Sequence, residues 1–310
     1  MSFHKPCLLK EISEIIKSLN CKYVVDCTAG EGGHTRVISQ LVGESGKVIA
    51  IEYDPEYYQH LVKNTEQLKN VVTLNRSYTE LEEIWREQNF DKPDAILFDF
   101  GISSFHLEVS GRGFSYRKDE ILDMRFNQKI GEPLSQILPQ LTEREIDNIL
   151  KNLAETPFHR KLSKLIYENR KKINTTSDLN EIIKMCIPAK YLNNELPKIY
   201  QAFRIYVNNE LKNVLEGLKS ALVLLNKGGV LITISYHSLE DRICKQLKQI
   251  RELKQFTKKP ITSLQEDLKI NPRCRSAKLR AFIKEELYEE DINRWFNTFS
   301  SIFPTNLYGR

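Results

Sequence analysis

Four short apolar runs in the first hundred residues, each separated from the next by a helical pattern, constrain this chain more than any other feature. KYVVDC (22–27), KVIAIEYD (47–54), NVVTLN (70–75) and PDAILFDF (93–100) have the length and the β-branched or apolar content of strands. Between them, RVISQLV, PEYYQHLVKNTEQL and YTELEEIWREQ carry helical spacing, and the second of these opens on a proline suited to a first helical turn. Such alternation predicts parallel βα units with helices on both faces of one sheet. From residue 107 to about 200 no β run occurs. EREIDNILKNLA, FHRKLSKLIYENRKK and TSDLNEIIKMCI read instead as helices with N-cap-like starts. The β signal returns at GGVLITISYH (228–237). The expected architecture is an α/β domain made of residues 1–106 and 201–310, split by a helical insertion at 107–200.

Composition narrows the setting. The chain has 310 residues, 28% of them charged, and a formal net charge of +5. That balance permits a polyanionic partner without demanding one. The six cysteines form no CxxC pair, which argues against a zinc ribbon or a redox motif, and a disulfide framework is not expected in so long a chain. The N-terminus has no long apolar stretch and no 18-residue apolar span occurs. These features predict a reducing, cytoplasmic setting and no membrane partner.

VVDCTAGEGGHT sets Gly30, Gly32 and Gly33 directly after the first strand. A turn there brings backbone N–H groups and a helix N-terminus to the carboxyl edge of the sheet, where open α/β sheets bind ligands. Glu52 ends the second strand, 22 positions after Gly30, in reach of ribose hydroxyls; Asp54 competes for that role. A dinucleotide or S-adenosylmethionine fits this arrangement. The dinucleotide pattern G-x-G-x-x-G is incomplete, because Thr35 stands at its third glycine.

Asp99 ends the fourth strand at the same edge. Asp99-Phe100-Gly101 spells the metal-binding signature of protein kinases, but no strand lysine in a V-A-I-K context and no H-R-D precede it. A carboxylate at this edge is suited to accept hydrogen bonds from a cofactor or from a substrate amino group. A plain turn cap is the competing reading.

Long ordered blocks then carry a resemblance. HKPCLLKEI (4–12), DCTAGEGGHT (26–35), IEYDPE (51–56), DAILFDFGISS (94–104), RGFSYRKDEILDMRFN (112–127), QAFRIYVNNEL (201–211), ISYHSLEDRICK (234–245) and NPRCRSAKLR (271–280) resemble the bacterial 16S ribosomal RNA (cytosine-N4) methyltransferases, from about residue 4 to 282. The resemblance implies a class I S-adenosylmethionine-dependent, Rossmann-like fold with a helical insertion for substrate recognition. It implies N4-methylation of one cytidine in the decoding region, with 16S rRNA or the small ribosomal subunit as partner. Position by position, it implies cofactor contacts at Gly32, Gly33, His34, Glu52, Tyr78, Asp99 and His106. The family commonly has Asp at position 52 and Phe at position 78, and Pro-Gln where this chain has Phe105-His106.

Asp99 is the candidate catalytic group, as acceptor of the target amine. For RNA, the candidates are Arg112 and Arg117 in SGRGFSYRKDE, with Phe114 and Tyr116 to stack on an unpaired base, and Arg273, Arg275, Lys278 and Arg280. From Lys245 to Arg280 there are eleven Lys/Arg and three Asp/Glu, a local balance of +8. His237, Glu240 and Asp241 lack a second nearby His or Cys, so no tight transition-metal site is expected. His4 and His34 lie near the cofactor edge; His60 and His159 read as structural. A nicotinamide oxidoreductase, a methyltransferase for another nucleic-acid amino group and a non-catalytic RNA assembly factor are the alternatives. A second copy of the chain is a candidate partner, and INRWFNTFSSIF near the C-terminus is a segment to dock on the core or on another subunit.

Overall fold

The computed structural model describes residues 6–300, so His4 lies outside the described residues. The chain divides into two compact units. Among the described residues, the first comprises those up to Gly101 and those from Lys212 on; the second runs from Ile102 to Leu211, five residues earlier and eleven later than the helical pattern alone predicted.

Unit 1 is built on one mixed sheet. Its strands are β1 (Tyr23–Asp26), β2 (Lys47–Ile51), β3 (Val71–Leu74), β4 (Ala95–Asp99), β5 (Val230–Ser235), β6 (Leu253–Gln255), β7 (Ile261–Thr262) and β8 (Lys278–Lys284). The order is β3-β2-β1-β4-β5-β8-β6, with β7 also paired to β8. The first five strands are parallel, and β4 and β5 run in register from Ala95 opposite Val230 to Asp99 opposite Ile234. All six residues of β5 are buried, as expected of a parallel strand covered on both faces. The helices α1 (Leu9–Ser18), α2 (Gly33–Val42), α3 (Pro55–Thr65) and α4 (Leu81–Gln88) follow the predicted alternation. Asp54 caps α3, accepting from the Glu56 amide at 2.9 Å, with Pro55 just inside the helix.

The antiparallel strand β8 departs from the all-parallel expectation. KLRAFIK alternates cations with apolar residues and reads as a basic stretch, yet Leu279, Ala281 and Phe282 are buried. Its last residue, Lys284, is also buried, and its ammonium donates to the carbonyls of Leu222 (2.6 Å) and Leu225 (2.8 Å). These carbonyls lie at and just beyond the end of the helix Glu210–Leu224, where intrahelical partners run out. The C-terminal helix Glu289–Ser300 docks on this unit through Ile292, Trp295 and Phe299.

One cysteine expectation is corrected. Cys7 and Cys274 form a disulfide with their Cα atoms 5.4 Å apart, although 267 positions separate them in sequence. That distance suits a disulfide bridge, and no local spacing signals it. The other four cysteines are free and buried.

Unit 2 is helical, with Glu143–Asn152, His159–Asn169, Thr176–Cys186 and Ala189–Asn208 as its longer helices. Two of them open on full capping boxes, Thr142 with Glu145 and Thr175 with Asp178. Asn208 anchors the segment that precedes them, donating to the Met124 carbonyl (2.7 Å) and accepting from the Phe126 amide (2.9 Å).

Candidate active site

The carboxyl ends of β1, β2 and β4 gather the candidate cofactor residues of unit 1. After β1 the chain turns through Gly32 at φ +91°, a backbone state open mainly to glycine. A Cβ there would stand 3.2 Å from the Leu61 and Thr65 side chains, and one on Gly33 would stand 3.1 Å from the Pro6 ring. The turn is thus closely packed from two sides before α2 begins. Asp26 lies buried beneath it, accepting from the Thr35 hydroxyl at 2.7 Å. Burial raises the Asp26 pKa, while His34 and the Thr35 bond oppose the rise.

Glu52 fastens the turn to the end of β2. Its two carboxylate oxygens accept from the Gly30 amide (2.9 Å) and the Asp54 amide (2.8 Å). Burial pushes its pKa up to about 7 despite these bonds. Asp54 is 1% exposed and committed to capping α3, which removes it as a competitor for the ribose role. Tyr78 opens the short turn Tyr78–Glu80 after β3. Its ring stands edge-on to Phe98 (5.4 Å) and Phe100 (6.3 Å). A Cβ on Gly217 would come within 2.5 Å of that ring, so Gly217 is the residue that leaves room for it.

Asp99 and His34 meet at the same edge. His34 Nε2 stands 3.4 Å from Asp99 Oδ2, and the Asp99 amide donates to the Thr28 hydroxyl at 2.6 Å. Both His34 ring nitrogens and Asp99 Oδ1 are buried without a hydrogen-bond partner. Unpaired buried polar atoms are rare in folded proteins, and three together mark a place shaped for a polar ligand. Positive-φ glycines, a double acceptor at Glu52, an aromatic wall at Tyr78 and orphaned polar atoms at His34 and Asp99 fit S-adenosylmethionine, whose ribose, adenine and amino acid moieties call for such groups.

Beyond β5, the SYHSLEDR segment is organised as a helix start. His237 caps the helix Ser238–Gln246, and Glu240 Oε2 accepts from the Tyr236 amide at 2.9 Å. Asp241 binds Arg280 (2.9 Å) and Lys278 (3.2 Å), and these cations hold its carboxyl below the usual range against the opposing effect of burial. Arg280, 12% exposed, is therefore corrected from a phosphate contact to an internal ion-pair partner. Lys278 shares that pair but remains 44% exposed. Arg275 is exposed and Arg273 partly so, both on the short turn Pro272–Ser276.

In unit 2, Arg117 is exposed, but Arg112 is 3% exposed and donates to the Phe126 carbonyl at 2.8 Å. Its role as a phosphate contact is corrected: the guanidinium is consumed in holding the loop. Phe114 is buried and stacked on Phe126 at 5.2 Å, which takes it out of base stacking. His106 is buried in the same cluster, edge-on to Phe126 (4.9 Å) and Phe114 (5.4 Å), with Nδ1 held 2.6 Å from the Ser103 hydroxyl. Sequence reasoning assigned no role to Asp26, Gly217 or Tyr236. Position at a strand end was the available signal for Asp26 and Tyr236, and nothing in the sequence marks Gly217.

The fold and this edge define a Rossmann-like methylase. The profile of the MraW methylase family matches residues 1–285, and the chain belongs to that family. S-adenosylmethionine is accordingly its cofactor. Among its relatives, the "Ribosomal RNA small subunit methyltransferase H" of Thermosipho melanesiensis is 41% identical over 282 residues, covering 89% of this chain and 96% of that one. The protein of the same name from Dictyoglomus thermophilum is 39% identical over 292 residues, covering 92% and 98%. That of Clostridium botulinum strain Kyoto is 37% identical over 295 residues, covering 87% and 96%.

Proposed function

We propose that this chain methylates N4 of a cytidine in the decoding region of 16S rRNA, within the small ribosomal subunit. Asp99 carries the reading: a carboxylate at the end of β4, beside the glycine turn, with one buried oxygen that nothing in the protein satisfies. S-adenosylmethionine supplies an electrophilic methyl group on a sulfonium. N4 of cytosine forms the new N–C bond as the S–C bond breaks toward sulfur, leaving S-adenosylhomocysteine, and the proton that the methylated, positively charged nitrogen then loses passes to water. The amine's lone pair is delocalised into the ring, so orientation supplies much of the rate. Asp99 Oδ1 accepts a hydrogen bond from the amine and fixes its approach.

The turn amides at Gly32, Gly33 and His34 hold the cofactor's amino acid end, Glu52 its ribose and Tyr78 its adenine; His106 is the remaining candidate contact. The helical unit provides substrate recognition. Arg117, Arg273, Arg275 and Lys278 serve as phosphate contacts, since exposed cations make RNA affinity salt-dependent. The test is transfer of labelled methyl to small subunits, with the modified nucleotide mapped in rRNA from cells with and without the protein. Asp99→Ala at saturating cofactor and RNA should lose most turnover. Full turnover in that variant would remove Asp99 from the chemistry, and an unmodified N4 position would overturn the substrate assignment.

A further inference from the structure

Asp99 does not stand alone at the end of β4. The neighbouring strand β5 continues past Ser235 into Tyr236, and the Phe100 amide donates to the Ile234 carbonyl at 3.0 Å, keeping the two strand ends together. Gly101 is the residue that lets the tyrosine in: a Cβ there would stand 2.6 Å from Tyr236 Cε2. The ring is thereby laid against the backbone two residues beyond Asp99. From the other side, α2 presents His34, with Nε2 3.4 Å from Asp99 Oδ2. One oxygen, Oδ1, remains buried and without a partner.

We propose that Tyr236 and His34 are positioning residues that hold the Asp99 carboxylate from two sides, so that Oδ1 is presented to the substrate amine. The proposal rests on the reading of Asp99 as the amine acceptor and adds what orients it. A carboxylate at the end of a strand turns about two side-chain bonds, and a rotation of a few tens of degrees would aim its lone pairs away from the amine. A phenol donor and an imidazole fix that rotation.

The direction of proton donation follows from the surroundings. Burial first, and then the charge and hydrogen bonding of Asp99, raise the Tyr236 pKa well above its ordinary value. The phenol therefore stays protonated at neutral pH and acts toward Asp99 as a donor, not as a base. The other charged groups facing this cluster are Asp26 on β1, which feels both His34 and Asp99, and Glu240, which acts on Tyr236.

Two measurements test the proposal. Tyr236→Phe keeps the ring against Gly101 and removes only the hydroxyl. It should lower kcat about tenfold while KM for S-adenosylmethionine stays within twofold, because a donor to Asp99 bears on the amine and not on cofactor binding. In the second, 13Cζ-labelled tyrosine is titrated by NMR in the cofactor-free wild-type chain and in Asp99→Asn. Loss of the carboxylate should move the Tyr236 transition down by at least one pH unit, a readout independent of activity. An unmoved Tyr236 transition in Asp99→Asn, or an unchanged kcat in Tyr236→Phe, overturns the proposal. If wild-type chain transfers no methyl to rRNA while the tyrosine transition still shifts, the substrate reading fails and the positioning contact stands.

Discussion

Glu52 makes a pH-dependent prediction with opposite signs for stability and for binding. Its carboxyl group, held between the Gly30 and Asp54 amides, has a pKa pushed by burial from 4.5 to about 7. A raised carboxyl pKa means that the folded chain holds this proton more tightly than the unfolded chain does. The group's contribution to stability is then fully present below about pH 4.5 and is lost as pH rises through about 7. Cofactor binding should run the other way, because ribose hydroxyls donate best to the ionised form. At pH 6, one unit below that pKa, roughly nine in ten molecules carry the proton. Affinity for S-adenosylhomocysteine should therefore be about tenfold weaker at pH 6 than above pH 8, equivalent to ~1.4 kcal/mol. Isothermal titration calorimetry in buffers of different ionisation enthalpy reads both the affinity and the proton released on binding. Glu52→Gln should flatten the pH dependence. It should also weaken binding at every pH, because its NH2 group faces one of two amide donors, a loss of about 1–3 kcal/mol. A flat wild-type profile between pH 6 and 8 would refute the reasoning. Persistence of the step in Glu52→Gln would assign it instead to Asp26 or Asp54, the other carboxylates acting on Glu52.

Three further outcomes follow from the structure. Lys284→Met keeps the buried stem but leaves the Leu222 and Leu225 carbonyls without their donor, and should lower the urea midpoint by the equivalent of about 2–4 kcal/mol; an equal or higher midpoint would show that the buried ammonium contributes nothing. Arg117→Gln and Arg275→Gln should each reduce the salt dependence of RNA binding by about one unit of slope, whereas Arg112→Gln should lower thermal stability instead, measured by filter binding across salt concentrations and by calorimetry. Breaking the Cys7–Cys274 link with dithiothreitol should lower stability by several kcal/mol, with about 5–6 kcal/mol as the chain-entropy figure for so long a loop, and Cys7→Ser should not respond to the reductant.

The parallel half of the sheet and the cofactor edge were legible because they rest on local signals. A β-branched run, a glycine turn and an acid at a strand end lie within a few dozen residues of one another. Features that depend on partners distant in sequence were not. β8 hides its strand character because Lys278, Arg280 and Lys284 supply cations whose partners, Asp241 and the carbonyls of Leu222 and Leu225, lie some forty to sixty residues away. Arg112 and Arg117 sit five positions apart in one loop, and composition gives both the same meaning. Only the placement of the Phe126 carbonyl separates the buried anchor from the exposed cation. The Cys7–Cys274 pair is the extreme case, since no spacing rule reaches across 267 positions. Tyr236 was missed for a different reason. Its hydroxyl gains meaning only from Gly101 and Asp99, on a strand that precedes it by the whole helical unit.

The place of that helical unit in the chain sets an order of events during synthesis. β4 ends at Asp99 and its partner β5 begins at Val230, with unit 2 between them. At ordinary elongation rates, that interval takes the ribosome roughly 7–26 s. Throughout it, the outer edge of β4 has no neighbour to pair with, and an unpaired apolar edge is a template for wrong pairing. The helical unit, complete by Leu211, leaves the ribosome before β5 does. The nascent chain thus completes its helical unit before its central strand pair, and β4 stays open to wrong partners until β5 arrives.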